Sequence, residues 1–142
     1  MSSRSTRALV VDDNEMHRAL LGAILASQGL SVDFAVNGQQ AVLVAKAIAF
    51  DLILMDFHMP LMDGLAATAL IREHEKDKGR DRAKLFLVST SDEAEVGRRA
   101  CFAGADGYIG KPVDFERLVS VAQSTLSVRP DEEKASAMMS RR

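Results

Sequence analysis

Three aspartates, a threonine and a lysine are the residues of this chain best suited to do chemistry together. Asp12 and Asp13 follow the apolar run ALVV, Asp56 follows LILM, Thr90 follows LFLVS, and Lys111 follows GYIG. Each stands just past a stretch that reads as a strand. In an open α/β sheet, ligands bind outside the carboxyl ends of the strands, so five residues far apart in sequence converge on one edge. Three carboxylates packed together repel one another and are pushed toward protonation unless a cation neutralises them. A hard divalent cation with oxygen ligands resolves the conflict, and Mg²⁺ is the natural choice because few carboxylates suffice to bind it. A carboxylate held beside it can attack phosphorus and form an acyl phosphate. Phosphoryl transfer asks mainly for positioning and charge neutralisation. The cation and Lys111 supply the second, and Thr90 can donate to a phosphoryl oxygen. The set describes a carboxylate that becomes phosphorylated.

Such a site needs five strands with helices between them. The runs ALVV, LILM and LFLV are continuous rather than alternating, as expected of strands buried on both faces. Residues 31–35 and 107–110 read as two further strands. Leu20, Leu21, Ile24 and Leu25 share a helical face within residues 16–28, and Gly29 is a stop signal. Asn37-Gly38 reads as a turn. Ala41, Val42, Ala45, Ile48 and Ala49 give a second helix, residues 65–76 a third, and residues 92–103 a weaker fourth containing Gly97. Phe115, Leu118, Val119, Ala122 and Leu126 make the last helix. The expected architecture is α/β: a (βα)5, doubly wound, five-stranded parallel sheet.

Composition bounds the rest. The chain has 142 residues, 47% apolar and 27% charged, with net charge −2. That is the size of one domain with a core that folds without staples. The charge balance excludes a strongly basic nucleic-acid binder. A single cysteine, Cys101, excludes an internal disulfide and fits a reducing compartment. No apolar run approaches the roughly 18 residues of a membrane span, and the N-terminus is no secretory signal. The expectation is a soluble, cytoplasmic protein with no nucleic-acid or membrane partner. Residues 1–7 are expected to be a flexible N-terminus, 8–128 the domain, and 129–142 a disordered tail. That tail is too short for a DNA-binding domain.

The blocks LVVDDN, DLILMDFHMPLMDG, VSTSD and GADGYIGKP, in this order and spacing, resemble the signature of response-regulator receiver domains. The resemblance covers about residues 8–126. It implies a flavodoxin-like sheet in strand order 2-1-3-4-5. It also implies that Asp56 is the phosphoacceptor and Asp13 a direct Mg²⁺ ligand. Asp12 would act partly through water, and the backbone carbonyl of His58 would be a further ligand. Lys111 matches the phosphate-pairing lysine, Thr90 the switch hydroxyl and Tyr108 the aromatic switch. Lys111-Pro112 is similar to the family's cis-proline turn. Ser91 departs from the usual alanine. His58 and Asp92 occupy the two variable positions that tune the lifetime of the phosphoryl group. DDNEMHRALL, NGQQAV and GLAATALIRE look like receivers of hybrid histidine kinases and phosphorelays, where His17 often has Asn in its place. The implied partners are a histidine kinase or a histidine phosphotransfer protein, with an unknown downstream protein target.

Plainer readings compete residue by residue. Asp13 can cap the first helix and Asp12 can be a loop acid. Thr90 can end a turn, Lys111 can be solvated, and Tyr108 can be packing alone. His17, His58 and His74 lack metal-ligand spacing. Cys101 reads as a small core residue, and Arg98-Arg99 as a solvated face. Three competing functions remain. An aspartyl-nucleophile phosphatase of the haloacid-dehalogenase type needs a second Asp two residues after the nucleophile, where this chain has His58. A degenerate receiver would bind partners without phosphorylation. A fragment of a hybrid histidine kinase would share every feature named above.

Overall fold

A computed structural model of the chain describes residues 5–90 and 93–127. The elements alternate throughout: β1 (Arg7–Val11), α1 (Glu15–Ser27), β2 (Ser31–Ala35), α2 (Gly38–Ala47), β3 (Leu52–Asp56), α3 (Gly64–Lys78), β4 (Lys84–Ser89), α4 (Glu93–Ala103), β5 (Gly107–Gly110) and α5 (Phe115–Ser127). All pairings are parallel, and the sheet order is β2-β1-β3-β4-β5. This is the expected doubly wound topology, with its switch point between β1 and β3.

Side chains of a strand alternate between faces, and each central strand feeds two cores. Leu9, Val11, Ile53, Met55, Leu85 and Leu87 meet Ala41, Val42 and Ala45 of α2, Ala67 and Ile71 of α3, and Ala100 of α4. Ala8, Val10, Leu52, Leu54, Val88 and Ile109 meet Leu21 and Leu25 of α1 and Leu118, Val121 and Ala122 of α5. Two helices therefore cover one face and three the other. Among the described residues no helix is long and apolar enough to cross a membrane.

Several local expectations are corrected. Asn37-Gly38 starts a helix: the Asn37 side chain accepts from the Gln40 N–H, which an N-cap requires. Leu20 and Phe115 belong to apolar helix faces in sequence but are exposed, as is Cys101. Thr6 is buried and Arg7 opens β1, so ordered structure begins inside the segment expected to be flexible. The β1 start is held by Arg7 N–H donating to Asp51 and the Thr6 carbonyl accepting from Ser31 N–H. Residues 1–4, Ser91, Asp92 and 128–142 lie outside the described residues.

Far from the strands' carboxyl ends, a charged network ties α3 to the α4–β5 connection. Arg72 Nη1 donates to Glu75 Oε1 and to the Ala83 carbonyl, each at 2.8 Å. Its Nε donates to the Gly104 carbonyl at 2.8 Å and its Nη2 to Asp106 Oδ2 at 3.0 Å. Arg82 reaches the same Gly104 carbonyl and the other Asp106 oxygen. The Arg72 side chain is 11% exposed and that of Glu75 10%, so removing the arginine leaves buried acceptors and a buried charge. Arg72→Met is expected to lower stability in urea unfolding by about 2–4 kcal/mol. The half-exposed Arg7–Asp33 pair gives the contrast: Asp33→Asn should cost under about 1 kcal/mol.

Candidate functional site

The pairing of β1 with β3 builds the site. Val11 lies opposite Met55 in the parallel register, so the next residue of each strand, Asp12 and Asp56, come side by side. Asp12 stays in line with the sheet because its N–H donates to the Ala35 carbonyl at 3.2 Å. Asp56 closes β3 opposite Val88. Both are buried, whereas Asp13 is exposed at the rim. The N-cap of α1 is Asn14, whose side chain accepts from His17 N–H at 3.0 Å. Asp13 is thus not needed as a cap.

Carboxylate oxygens of Asp12, Asp13 and Asp56 lie within 4.8 Å of one another. Lys111 follows β5 and is anchored by its N–H to the Ser89 carbonyl at 2.9 Å. Its Nζ donates to Asp56 Oδ1 at 3.1 Å and stands 3.8 Å from Asp12 Oδ2. The Lys111–Pro112 peptide is cis, as the resemblance implied. Two unit charges within 4.8 Å repel by about 3 kcal/mol at an effective permittivity of ~20, and one ammonium does not offset three carboxylates. Burial pushes the Asp56 carboxyl above the ordinary aspartate range. The Lys111 hydrogen bond opposes that shift, and the charges of Asp12 and Asp13 add to it. Clustered hard oxygen donors with an excess of negative charge fit a small divalent cation.

The remaining residues stand at the same edge. His58 is exposed two residues past Asp56, its ring edge-on to Phe57 with centroids 4.7 Å apart. Arg99 of α4 lies over the same Phe57 ring, 5.2 Å from its centroid. It is exposed, as the solvated-face reading expected, and makes this one ring contact as well. With Phe57, His58, Met59, Pro60 and Asp63 it lines an open pocket at the β3–α3 loop. Leu61 has φ +73° and 81% exposure, in a tight turn closed by Met62 N–H donating to the Pro60 carbonyl. Thr90 occupies the exposed bend after β4, and Tyr108 in β5 is half-buried against the α2–α3–α4 core. Asp92 and Ser91 lie outside the described residues.

Sequence spacing missed two contributors. His17 Nδ1 is 2.9 Å from Asp12 Oδ2, and Arg18 Nη1 donates to the Asp12 carbonyl at 2.7 Å. The available signal was position. A residue in the first turn of a helix directs its Cβ toward the N-terminus, so His17 reaches back over the cap to the strand end.

A doubly wound sheet with acidic groups and a lysine at its switch point is the arrangement expected of a receiver domain, and the chain belongs to the response regulator receiver domain family, whose model matches residues 8–123. Chemotaxis protein CheY of Treponema pallidum is 39% identical over 122 residues, covering 81% of each chain. Hybrid signal transduction histidine kinase G of Dictyostelium discoideum is 37% identical over 119 residues, 82% of this chain but only 3% of the kinase. The chain therefore spans a small fraction of the kinases it matches. Two solved structures have a TM-score of 0.76 to it. One is the receiver domain of a Saccharomyces cerevisiae response regulator, solved with a histidine phosphotransfer signaling protein (30% identical, 83% of this chain and 86% of that one). The other is the receiver domain of a Pseudomonas aeruginosa sensor histidine kinase, with a magnesium ion coordinated in its active-site cleft (28% identical, 88% of this chain and 100% of that one). Receiver domains are signalling modules of two-component and phosphorelay systems, not conventional enzymes.

The raised pKa of Asp56 has a measurable consequence in metal-free buffer. A carboxyl whose folded pKa lies above its unfolded value stabilises the fold fully below the unfolded value. That contribution is lost as pH rises through the folded value. At pH 7 the buried Asp56 carboxyl therefore costs stability relative to a neutral residue. Asp56→Asn is expected to raise the thermal midpoint at pH 7, with the gain shrinking as pH falls through the acidic range. Coincident melting of the two proteins at pH 7 would contradict this assignment.

Proposed function

We propose that the chain is a phosphorelay receiver that takes a phosphoryl group from a phosphohistidine onto Asp56 and thereby changes its affinity for a protein partner. The observation that carries this reading is the Lys111 ammonium 3.1 Å from Asp56 Oδ1, inside a cluster of three carboxylates. An oxygen of Asp56 forms the new O–P bond as the N–P bond of the donor breaks, and the departing imidazole nitrogen keeps the electron pair. Lys111 pairs with the transferred oxygens, and Thr90 donates to one of them. Asp12, Asp13, Asp56 and the His58 carbonyl would hold Mg²⁺, which when bound neutralises charge on the phosphoryl oxygens. The magnesium-bound receiver among the structural neighbours supports that choice of ion.

Inward movement of Thr90 makes room for Tyr108 to turn from its half-buried position, which alters the surface formed by α4, β5 and α5. A local charge event thus biases a two-state element. His58 and Asp92 tune how long the phosphoryl group survives. The chain catalyses its own phosphorylation and dephosphorylation, and we place it in the cytoplasm.

The donor is a histidine kinase or a histidine phosphotransfer protein. The solvent face of α1 supports docking of such a partner beside the site. Met16 is 83% exposed and Leu20 55%, and Ala19, Ala23, Ala26 and Ser27 complete an exposed uncharged surface that Glu15 borders at the helix start. Exposed apolar surface of this kind marks interaction sites.

Two outcomes test the reading. Incubation with acetyl phosphate should add one phosphoryl group by intact-mass spectrometry, only with Mg²⁺ and only when Asp56 is present. An unmodified wild-type chain, under conditions that label a known receiver, would sink it. Leu20→Glu should slow transfer from a phosphorylated histidine phosphotransfer protein by about tenfold or more. Labelling by acetyl phosphate should stay unchanged in that variant, because the small donor needs no docking surface.

A further inference from the structure

We infer that His17 is the positioning residue of the cation site: its Nδ1–H fixes the Asp12 carboxylate and so keeps the Lys111 ammonium on Asp56. The inference rests on the proposed Mg²⁺-dependent phosphoacceptor and names a residue that reading does not use.

Asp12 is held at three points besides its own N–H. Its Oδ1 accepts from the Asn14 N–H at 2.9 Å, its Oδ2 meets His17 Nδ1 at 2.9 Å, and its carbonyl accepts from Arg18 Nη1 at 2.7 Å. An ionised carboxylate only accepts, so the ring nitrogen in this contact carries the proton. The His17 backbone is fixed in turn, because its N–H donates to the Asn14 side chain. The ring thus points back over the cap by helix geometry.

Lys111 Nζ lies between two carboxylates, 3.1 Å from Asp56 Oδ1 and 3.8 Å from Asp12 Oδ2. With His17 present, Asp12 Oδ2 already has a donor. Without it, the nearest donor to that oxygen is the ammonium on its flexible stem. Asp12 then turns toward Lys111, which draws the lysine from Asp56 and turns the carboxylate away from its ion-binding orientation. Groups that orient a metal ligand are commonly worth about 10–100-fold in affinity.

Stereochemistry separates this role from mere packing. The Nδ2 of asparagine sits the same two bonds from Cβ as the Nδ1 of histidine. The Nε2 of glutamine sits one bond further, in the place of the other ring nitrogen. Asparagine can therefore make the Asp12 hydrogen bond and glutamine cannot make it in the same geometry.

The test titrates MgCl₂ into the full chain by calorimetry, for wild type, His17→Asn, His17→Gln and His17→Leu, with thermal melts to check folding. Expected are Mg²⁺ dissociation constants about tenfold weaker for Gln and Leu and within about threefold of wild type for Asn. Wild-type binding by Gln and Leu, or Asn as weak as Leu, overturns the inference while the proposed site stands. Wild type that takes up no Mg²⁺ overturns both. A long-range ¹H–¹⁵N spectrum of metal-free wild type adds a readout that needs no ion: a proton on Nδ1 of His17 is expected. A ring protonated on Nε2 alone would remove the hydrogen bond on which the argument rests.

Discussion

Like charges confined at close range need a frame that will not relax around them. Here the frame is the pairing of the two central strands. Asp12 and Asp56 become neighbours because Val11 and Met55 are already in register, and neither strand can slip without turning its core residues to the wrong face. β1 and β3 are flanked on both sides by other strands and covered on both faces by helices. Apolar burial of four consecutive residues in each strand thus opposes a repulsion confined to their last positions. The lysine moderates that repulsion, 3.1 Å from Asp56 and 3.8 Å from Asp12. The acidic edge is tolerable because the rest of the sheet is apolar.

Loops close on this edge as tightly as the strands do. A β-carbon at Gly64 would collide with the Asp56 carbonyl oxygen, and one at Gly38 with the carbonyl oxygen of Met62. Gly64 at the start of α3 and Gly38 at the start of α2 are therefore points where the backbone approaches closely on either side of the β3–α3 loop. The N–H of Gly64 also donates to the Phe57 carbonyl, which ties the start of α3 to the residue after Asp56. Asp63 caps α3 from the same loop. Asp63-Gly64, like Asn37-Gly38, is thus the start of a helix.

Much of this was legible in the sequence, and the reasons are particular. Strands buried on both faces appear as short continuous apolar runs, so β1, β3 and β4 were visible, and their last residues marked the site. Residues 31–35 and 107–110 were found with the bounds the structure gives. Exposure was harder to read. α1 carries apolar residues around most of its circumference, with only Glu15, His17 and Arg18 ionisable. Nothing in its own periodicity shows that Leu21 is covered and Leu20 is not. Asn37-Gly38 has the composition of a turn, and only the Gln40 N–H pairing reveals a cap. Cys101 fits a core pattern by type, but its place on α4 faces outward. His17 escaped because its partner lies across a helix cap, where neither helical nor strand periodicity applies.

The Arg72 network decides how α4 can move. Two arginines, from α3 and from the segment before β4, grip the carbonyl of Gly104, the residue immediately after that helix. Such a grip acts as a fulcrum. The helix is a lever anchored at its far end, with its other end just beyond the bend that holds Thr90. A displacement arising at that bend cannot slide the helix along the sheet and can only swing it. Over a helix about 16 Å long, a swing of a few degrees carries the free end roughly 1–2 Å, the scale of helix shift that repacks an interface. Loosening the fulcrum would turn that directed stroke into undirected rattling.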